Sequence, residues 1–334
     1  MTSTVQSDAL SSDALVTLDD IRAAAERVHG LVLRTPLLPL TSADPDRPLW
    51  LKAESLQVTG AFKLRGAYNA ILPQLEDARR CGVVAHSSGN HARAVAWVAR
   101  ELGIRAVIVM PDAAPQVKVD GVRALGAEVV IVTPDQRDIR AEELSTEHGM
   151  VLVRPYDDKA IVTGQGTAGL EIMQDLPDVD VVLVPVSGGG LLSGVATAVK
   201  ALKPDALVIG VEPALAADAA ESFRTGSRVT WTPEQTYRTI ADGLRTTSLG
   251  EIPWRHISRY VDDIITVDDD EIRDAVRRIA TDCRLVAEPS GAVSTAAYLH
   301  RAADLPATGR FAAVVSGGNV AMAAYAQILN PSAP

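Results

Sequence analysis

The segment LKAESLQVTGAFKLRGA, residues 51–67, contains the turn around which the remaining chain is organised. It predicts a short strand, a turn through Thr59-Gly60 and a helix that opens near Ala61. Lys63 then lies in the first helical turn, where its positive charge opposes the helix dipole. Such a local conflict is typical of a functional residue, whereas most isolated lysines are simply exposed. We therefore expect the rest of the chain to present a ligand to the Lys63 amine.

Composition narrows the class of protein. The 334 residues suffice for one large domain or two of ordinary size, and 47% apolar with 22% charged residues is typical of a globular protein with a sizeable core. The sequence contains no run of eighteen apolar residues, so no membrane-spanning helix is predicted. A net charge of −10 and the absence of a Lys/Arg block argue against nucleic-acid binding. If an amine does chemistry, the candidates are only Lys52, Lys63, Lys118, Lys159, Lys200 and Lys203.

The cysteines and the N-terminal segment bear on location. Cys81 and Cys283 are too few for a disulfide framework and lack metal-site spacing. Residues 1–14 are rich in Ser, Thr, Asp and Ala, without the basic start and apolar core of a signal peptide. We therefore expect a disordered tail at residues 1–14 of a cytoplasmic protein.

From residue 83 onward, apolar strands alternate with helices, which predicts parallel sheets covered on both faces. Two such series follow one another, so we expect two lobes with a cleft between them. A short strand is also predicted at residues 31–33, and residues 214–260 are expected to form an irregular surface excursion. The strands predicted in the alternating part are 83–85, 106–110, 128–132, 150–153, 181–185, 206–211, 264–267 and 311–315.

Three loops share one design: an apolar strand, a Ser/Gly/Asn loop and then a helix, beginning at Ser87, Ser187 and Ser316. In open parallel sheets such loops lie at the carboxyl ends of the strands, where ligands bind. Three successive glycines after Ser187 let backbone N–H groups converge on a phosphate at a helix N-terminus. A tight turn without a ligand is the alternative. The spacing matches neither a mononucleotide P-loop nor a dinucleotide fingerprint.

The loop from Ser87 to His91 offers two hydroxyls, an amide and a helix N-terminus, a combination that suits a carboxylate. A polar N-cap without a ligand is the alternative, and His91 is equally compatible with a buried core histidine. The loop from Ser316 to Asn319 predicts, by itself, no more than a glycine turn.

Together these motifs resemble those of the fold-type II pyridoxal-phosphate enzymes, and within them the serine/threonine dehydratases and serine racemases. The resemblance extends from Arg34-Thr35-Pro36 to Ser316–Val320, in the family's order and spacing. It implies a tryptophan synthase β-like α/β fold of two open twisted sheets flanked by helices, with the active site in the interdomain cleft. It also implies a large cofactor-binding domain of residues 15–70 and 158–334, with a small domain, 71–157, inserted in it.

The family's lysine motif looks like Gly-Ser-Phe-Lys-x-Arg-Gly-Ala, and here residues 60–67 read GAFKLRGA, with Ala61 in place of serine. The resemblance implies that Lys63 forms a Schiff base with pyridoxal 5'-phosphate, that Phe62 lies against the cofactor ring and that Ser316 bonds the pyridine nitrogen. The phosphate loop, with serine for its usual first glycine, is matched by Ser187, Gly188, Gly189, Gly190 and Leu191.

The family's substrate-carboxylate loop is matched by Ser87, Ser88, Gly89, Asn90 and His91. The resemblance implies that Asn90 also contacts the cofactor's phenolic oxygen and that Ser88 donates or accepts a proton on the face opposite Lys63. It further implies that Arg137 and Tyr156 reach the substrate side chain. Arg93 stands where family members commonly have Gln.

Glu212, Asp218 and the backbone oxygen of Ala216 resemble the family's divalent-cation site. Two carboxylates and a carbonyl suit Mg²⁺ or Ca²⁺. Two solvated acids in a loop are the alternative.

The resemblance implies dehydration and deamination of a β-hydroxy amino acid, such as L-threonine or L-serine, to a 2-keto acid and ammonia. Alternatives are an amino-acid racemase, a dehydratase of a bulkier substrate (3-hydroxyaspartate, phenylserine or a hydroxyectoine-derived compound) and an amino-acid-binding regulatory protein. The expected partners are a small amino acid and a second copy of the chain, as a homodimer or tetramer, without nucleic acid or membrane. Few residues follow Ser316, so we expect no C-terminal regulatory domain like that of biosynthetic threonine dehydratases.

Overall fold

The structure is a computed structural model that describes residues 14–330. The tail expected at residues 1–14 therefore lies, except for Ala14, outside the described residues. Within that range none of the helices has both the length and the apolar character needed to span a bilayer.

Strands of the described chain form two sheets. The six-stranded sheet has the order β1-β2-β10-β7-β8-β9, in which only β1 runs antiparallel to its neighbour, and the four-stranded sheet has the parallel order β5-β4-β3-β6. The strands are β1 (Leu37–Pro39), β2 (Leu49–Ala53), β3 (Val83–His86), β4 (Ala106–Pro111), β5 (Glu128–Val132), β6 (Val151–Leu152), β7 (Val181–Pro185), β8 (Leu207–Pro213), β9 (Asp263–Val267) and β10 (Phe311–Val315).

Helices cover both faces of each sheet, which confirms the predicted two-sheet α/β fold. Those of residues 14–330 are α1 (Leu18–Val28), α2 (Lys63–Ile71), α3 (Leu75–Cys81), α4 (Asn90–Leu102), α5 (Gln116–Arg123), α6 (Arg137–His148), α7 (Lys159–Asp175), α8 (Gly190–Leu202), α9 (Asp218–Thr225), α10 (Pro233–Thr236), α11 (Glu251–Tyr260), α12 (Asp269–Cys283), α13 (Pro289–His300) and α14 (Met322–Leu329).

The cores follow from the apolar strands. Every residue of β7 and of β10 is buried, as expected of parallel strands covered on both faces. Side chains of α12 and α13 fill one face of the six-stranded sheet, and those of α8 and α11 fill the other. The four-stranded sheet packs mainly against α4 on one face and α6 on the other. The loops that leave β3, β7 and β10 therefore start from rigid strand ends.

Two predictions about local structure were wrong. Residues 31–33 form no strand, because the backbone N–H and C=O of Leu33 bond the side-chain amide of Gln57 instead of a ladder. Residues 214–260 are more regular than expected and contain α9, α10 and α11. Thr17 caps α1 in a reciprocal pair with Asp20.

Candidate active site

Lys63 is the first residue of α2, and its Nζ donates a hydrogen bond to the carbonyl oxygen of Pro155 at 2.6 Å. Burial of the amine lowers its pKa to about 8. The ammonium lies 5.1 Å from the centre of the Phe62 ring. A lowered pKa gives the amine a larger neutral fraction at physiological pH, the form that attacks carbonyl carbons and accepts protons.

The loop after β10 holds the turn that precedes Lys63. The N–H of Phe62 donates to the carbonyl of Ser316 at 3.0 Å, and Ala61 pairs with Gly317 in an antiparallel bridge. Gly60 has a φ of +78°, and a Cβ there would overlap the Asn319 side chain. Glycine is thus required at position 60 both by conformation and by close approach. The structure brings the lysine motif and the Ser316 loop together.

A chain of side-chain hydrogen bonds joins that loop to the loop after β3. Asn319 Nδ2 donates to Asn90 Oδ1 at 2.8 Å, and Asn90 Nδ2 donates to Glu288 Oε1 at 2.6 Å. Burial and the nearby charge of Asp242 raise the pKa of Glu288 to about 7. The Asn90 side chain is therefore held from two sides at the floor of the cleft.

The Ser87–His91 loop turns directly into α4, which begins at Asn90. Ser87 Oγ accepts a hydrogen bond from the Gly89 N–H at 3.1 Å, and the first N–H groups of α4 have no partner within the helix. The His91 ring is buried, and its Nε2 donates to the carbonyl of Val153 at 2.9 Å. Burial, together with the charge of Lys63, lowers the pKa of His91 to about 3, so the ring is neutral. The imidazole ring of His91 therefore points toward the end of β6. Its backbone remains available to contact a ligand.

The Ser187–Leu191 loop turns from β7 into α8, which begins at Gly190. Gly189 has a φ of +94°, and a Cβ on Gly188 would overlap the Tyr156 ring. Ser187 Oγ is 2.6 Å from Thr246 Oγ1. The loop therefore leaves no room for side chains and directs a helix N-terminus outward, a geometry that binds phosphate.

Tyr156 packs against Gly188 of the Ser187–Leu191 loop, and Arg137 lies close enough for its charge to act on the Tyr156 hydroxyl. Burial raises the pKa of Tyr156 to about 12, so its hydroxyl stays protonated. Arg137 begins α6, and its Nε is buried without a partner. Beside it, His86 Nδ1 lies 2.8 Å from Asp138 Oδ1, a pair that sequence reasoning missed although His86 directly precedes Ser87.

Glu212 and Asp218 form a buried carboxylate pair away from Lys63's turn, at the end of β8 and the start of α9. Glu212 accepts hydrogen bonds from the N–H groups of Ala219 and Ala220 at 3.2 and 2.9 Å. Neither carboxylate oxygen of Asp218 has a hydrogen-bond partner among residues 14–330. Burial raises the pKa of Asp218 to about 7, and burial with the charge of Asp218 raises the pKa of Glu212 well above its usual range. Orphaned oxygens beside a like charge fit a bound cation.

Two further contacts had no sequence signal. The Pro155 carbonyl is backbone, and no motif marks it as the acceptor of Lys63. Thr246 lies within the stretch predicted to be irregular, yet its hydroxyl and N–H both contact Ser187 Oγ.

The residues at the cleft fit pyridoxal phosphate. A buried amine of lowered pKa can bond its aldehyde, and a helix N-terminus preceded by closely packed glycines can take its phosphate. Ser316, whose Oγ lies 3.5 Å from the carbonyl of Ser290, adds an uncharged hydroxyl beside the lysine turn.

Comparison with known proteins agrees with this geometry. Residues 28–317 match the family model described as pyridoxal-phosphate dependent enzyme. The L-threonine ammonia-lyase of Thermotoga maritima is 41% identical over 323 residues, which is 95% of this chain and 79% of that protein. A serine racemase of Oryza sativa subsp. indica is 41% identical over 311 residues, 91% of each chain. The solved structure of maize serine racemase superposes with a TM-score of 0.88 at 39% identity, covering 94% of this chain and 97% of the maize chain.

The lysine turn, the Ser187–Leu191 loop and a match that spans most of the sequence lead to one conclusion. The chain belongs to the family of pyridoxal-phosphate dependent enzymes, and its cofactor is pyridoxal phosphate.

Proposed function

We propose that the chain catalyses β-elimination from a β-hydroxy amino acid, such as L-threonine or L-serine, to give a 2-keto acid and ammonia. The observation that carries the proposal is the Lys63 amine, whose pKa is lowered to about 8 by burial and whose turn bonds the Ser316 loop, which Asn319 and Asn90 join to the Ser87–His91 loop. Relatives named L-threonine ammonia-lyase and serine racemase, each 41% identical, support the same substrate class.

The cofactor, when bound, withdraws electrons from the bonds around the substrate α-carbon. Lys63 would hold the cofactor through Nζ, and its free amine would take the substrate α-proton. The Pro155 carbonyl, 2.6 Å from Nζ in the free amine, keeps that amine near the reacting carbon. Because Nζ is neutral in a sizeable fraction of molecules, it can accept that proton without first losing its own.

The other loops orient the reactants. The N–H groups and hydroxyls of Ser87–His91 would bind the substrate carboxylate, and Asn90, whose amide is held by Glu288 and Asn319, would contact the cofactor. The Ser187–Leu191 loop would hold the cofactor phosphate, and Phe62 would pack against the cofactor. Arg137 and Tyr156 line the side-chain end of the substrate.

Ser316 favours elimination over transamination. A serine hydroxyl is uncharged, so beside the cofactor's ring nitrogen it would leave that nitrogen largely unprotonated and the cofactor would withdraw electrons less strongly than transamination needs. Racemisation is the second candidate, since Ser88 would face Cα opposite Lys63 and serine racemases are among the relatives. A dehydratase of 3-hydroxyaspartate, phenylserine or a hydroxyectoine-derived compound is a variant of the first proposal.

We further propose that Glu212, Asp218 and the carbonyl of Ala216 bind Mg²⁺ or Ca²⁺. The support is the pair of orphaned Asp218 oxygens beside a second buried carboxylate. A divalent cation would neutralise both acids, with waters completing its shell.

For the assembly we propose a cytoplasmic homodimer, or a tetramer built from it, with residues 15–70 and 158–334 as the large domain and 71–157 as the small one. The support for self-association is α14, which carries no charged residue and exposes Met322 at 67% of its surface. The support for the domain division is that β3 to β6 come only from the inner segment of the chain.

A keto-acid assay over a panel of L- and D-β-hydroxy amino acids, with and without Mg²⁺, tests the proposed reaction. We expect keto acid from L-threonine or L-serine, and its loss in Lys63→Ala together with the visible cofactor band. Lys203→Ala, which alters an ion pair with Asp180 far from the loops, is the control and should be active.

Chiral analysis of the remaining amino acid separates the alternatives. Inversion without keto acid would establish the racemase instead. A protein without a visible cofactor band and without turnover would support the binding protein, and full turnover of Lys63→Ala would refute the proposed chemistry.

A further inference from the structure

Arg65, two residues after the proposed cofactor-binding lysine, lies at the centre of a buried group of charges. Its Nε and Nη2 donate to the two carboxylate oxygens of Glu54, both at 2.8 Å. Its Nη1 and Nη2 donate to the two oxygens of Glu171 at 2.7 and 2.8 Å. The Arg65 and Glu54 side chains have no exposed surface. One guanidinium thus grips two carboxylates in the planar fork geometry that only arginine offers.

Three more side chains complete this group, which we call the Arg65 network. Lys52 Nζ donates to Glu171 at 2.5 Å and to the Thr35 carbonyl at 2.6 Å, while Thr35 Oγ1 donates to Glu54 at 2.5 Å. Two cations therefore balance two carboxylates. Its members are Thr35, Lys52, Glu54, Gln57, Arg65 and Glu171, and none of their buried nitrogens or oxygens lacks a partner among the described residues.

The network joins the two elements that place the Lys63 amine. Arg65 and Lys63 are both in the first turn of α2, about 200° apart around the helix axis, so one anchors the helix while the other faces the cleft. Glu171 belongs to α7, which follows the Pro155 carbonyl that accepts from Lys63. The two helices also touch closely, since a Cβ on Gly164 would lie 2.7 Å from the Cα of Gly66.

Stability alone is a weak reason for this arrangement. Well-packed apolar residues often replace a buried ion pair at no loss of stability, because desolvation offsets the attraction. What apolar residues do not supply is a fixed rotation and register of one helix against the other, which bidentate bonds impose through their directions.

We propose that Arg65 is a positioning residue, which through its fork to Glu54 and Glu171 fixes the rotation of α2 against α7 and so holds the Lys63 amine in its reactive place. The inference rests on the proposed role of Lys63. Reaction rate is sensitive to such placement, since an error of about 1 Å in a reacting group costs up to ~100-fold.

Arg65→Lys tests this inference, because it keeps the charge and removes the fork. The full-length holoenzyme is compared with wild type by visible circular dichroism per bound cofactor, by kcat and by thermal midpoint. We expect a weaker dichroic band and a kcat about 10- to 100-fold lower. Thr167→Val is a milder variant, removing only the hydroxyl that accepts from Arg65 Nη1 at 3.1 Å, and should shift both readouts in the same direction.

Ile172→Val is the matched control, a buried residue of the same helix next to Glu171 that takes no part in the network. It should lower the thermal midpoint while leaving the dichroic band and kcat unchanged. If Arg65→Lys and Thr167→Val behave as this control does, with wild-type dichroism and kcat, the network is merely structural and the inference is wrong. A wild-type protein without a visible dichroic band would instead refute the proposed role of Lys63.

Discussion

Two pairs of buried carboxylates can be compared, Glu54 with Glu171 and Glu212 with Asp218. The pKa of Glu54 is lowered, whereas those of Glu212 and Asp218 are raised. Burial is the largest influence on Glu54 and acts to raise its pKa, but Arg65, Lys52 and Thr35 together outweigh it and hold that pKa below its usual range. No cation of residues 14–330 pairs with Glu212 or Asp218, and burial raises both pKa values. Because both carboxylate pairs are buried, their charge states differ through the cations that lie beside them. The Arg65 network is complete within the chain, whereas the Glu212–Asp218 pair is complete only with a cation or a proton.

Removal of the network's central cation should have the largest effect on stability. Arg65→Met leaves two buried carboxylates with Lys52 as their only cation, and breaking a buried pair in this way costs about 3–5 kcal/mol. The midpoint of urea unfolding at neutral pH measures it. If the variant is as stable as wild type, solvent or structural relaxation compensates the buried charges of Glu54 and Glu171. The proposed difference between the two carboxylate pairs would then be wrong.

The pH dependence of stability should reflect the protonation of the Glu212–Asp218 pair. Asp218 has a folded pKa of about 7, above its value in the unfolded chain, so its contribution to stability is complete in acid and is lost as pH rises through about 7. A tenfold difference in proton affinity between the folded and the unfolded chain corresponds to about 1.4 kcal/mol. Thermal midpoints in EDTA should therefore fall between pH 4 and pH 7.5, and Mg²⁺ or Ca²⁺ should restore them at the upper end. Thermal midpoints that change neither with pH nor with added cation would contradict the assignment of a cation site to Glu212 and Asp218.

Asp218→Asn isolates that contribution from other buried acids such as Glu288, whose pKa is also raised to about 7. The neutral amide removes the repulsion with Glu212, so in EDTA at pH 7.5 the variant should be more stable than wild type by about 1–3 kcal/mol. Its midpoint should no longer respond to Mg²⁺ or Ca²⁺. A persistent cation response would place the cation elsewhere.

Thr35→Val should have a smaller effect than Arg65→Met and tests whether the Arg65 network is complete. The change removes the hydroxyl that donates to Glu54 at 2.5 Å and should cost about 1.5–3 kcal/mol at neutral pH, the range of a hydrogen bond to a charged group. Chemical denaturation, fitted with one m-value for variant and wild type, measures this loss in the free energy of unfolding. Since Arg65 still holds Glu54, kcat should fall far less than in Arg65→Lys; an equal fall would mean that Thr35 and Arg65 act together.

The apolar strands were predictable from sequence because each is a run of mainly apolar residues, fully buried in β7 and β10, although Glu128 and Ile131 of the edge strand β5 are exposed. β5, β7 and β10 have the predicted limits at both ends. The false strand at residues 31–33 shows the limit of such patterns, because Leu31 and Leu33 are largely exposed and a side-chain amide takes the backbone bonds. Helices α9 to α11 were missed because they are short, with 8, 4 and 10 residues, so that little of a helical apolar period fits within each.

The site loops were predictable as motifs, while the contacts between them were not. Glycines and hydroxyls after apolar strands identify the three loops, and their order and spacing resemble one family. The Arg65 network joins residues 106 positions apart in the chain, and no local pattern signals that Glu171 faces Arg65. The rotation of α2, and with it the position of Lys63, is therefore a property of the folded chain.

Borohydride reduction of the holoenzyme, followed by peptide mass mapping, tests directly whether Lys63 is the cofactor's attachment point. The chain has few lysines, and of these Lys63 combines a place at the loop junction with a pKa lowered to about 8. The phosphopyridoxyl label is expected on the peptide that contains Lys63 and on no other in stoichiometric amount. A stoichiometric label on Lys52, Lys118 or another lysine, or no label on a protein that retains its cofactor, would contradict the proposed chemistry.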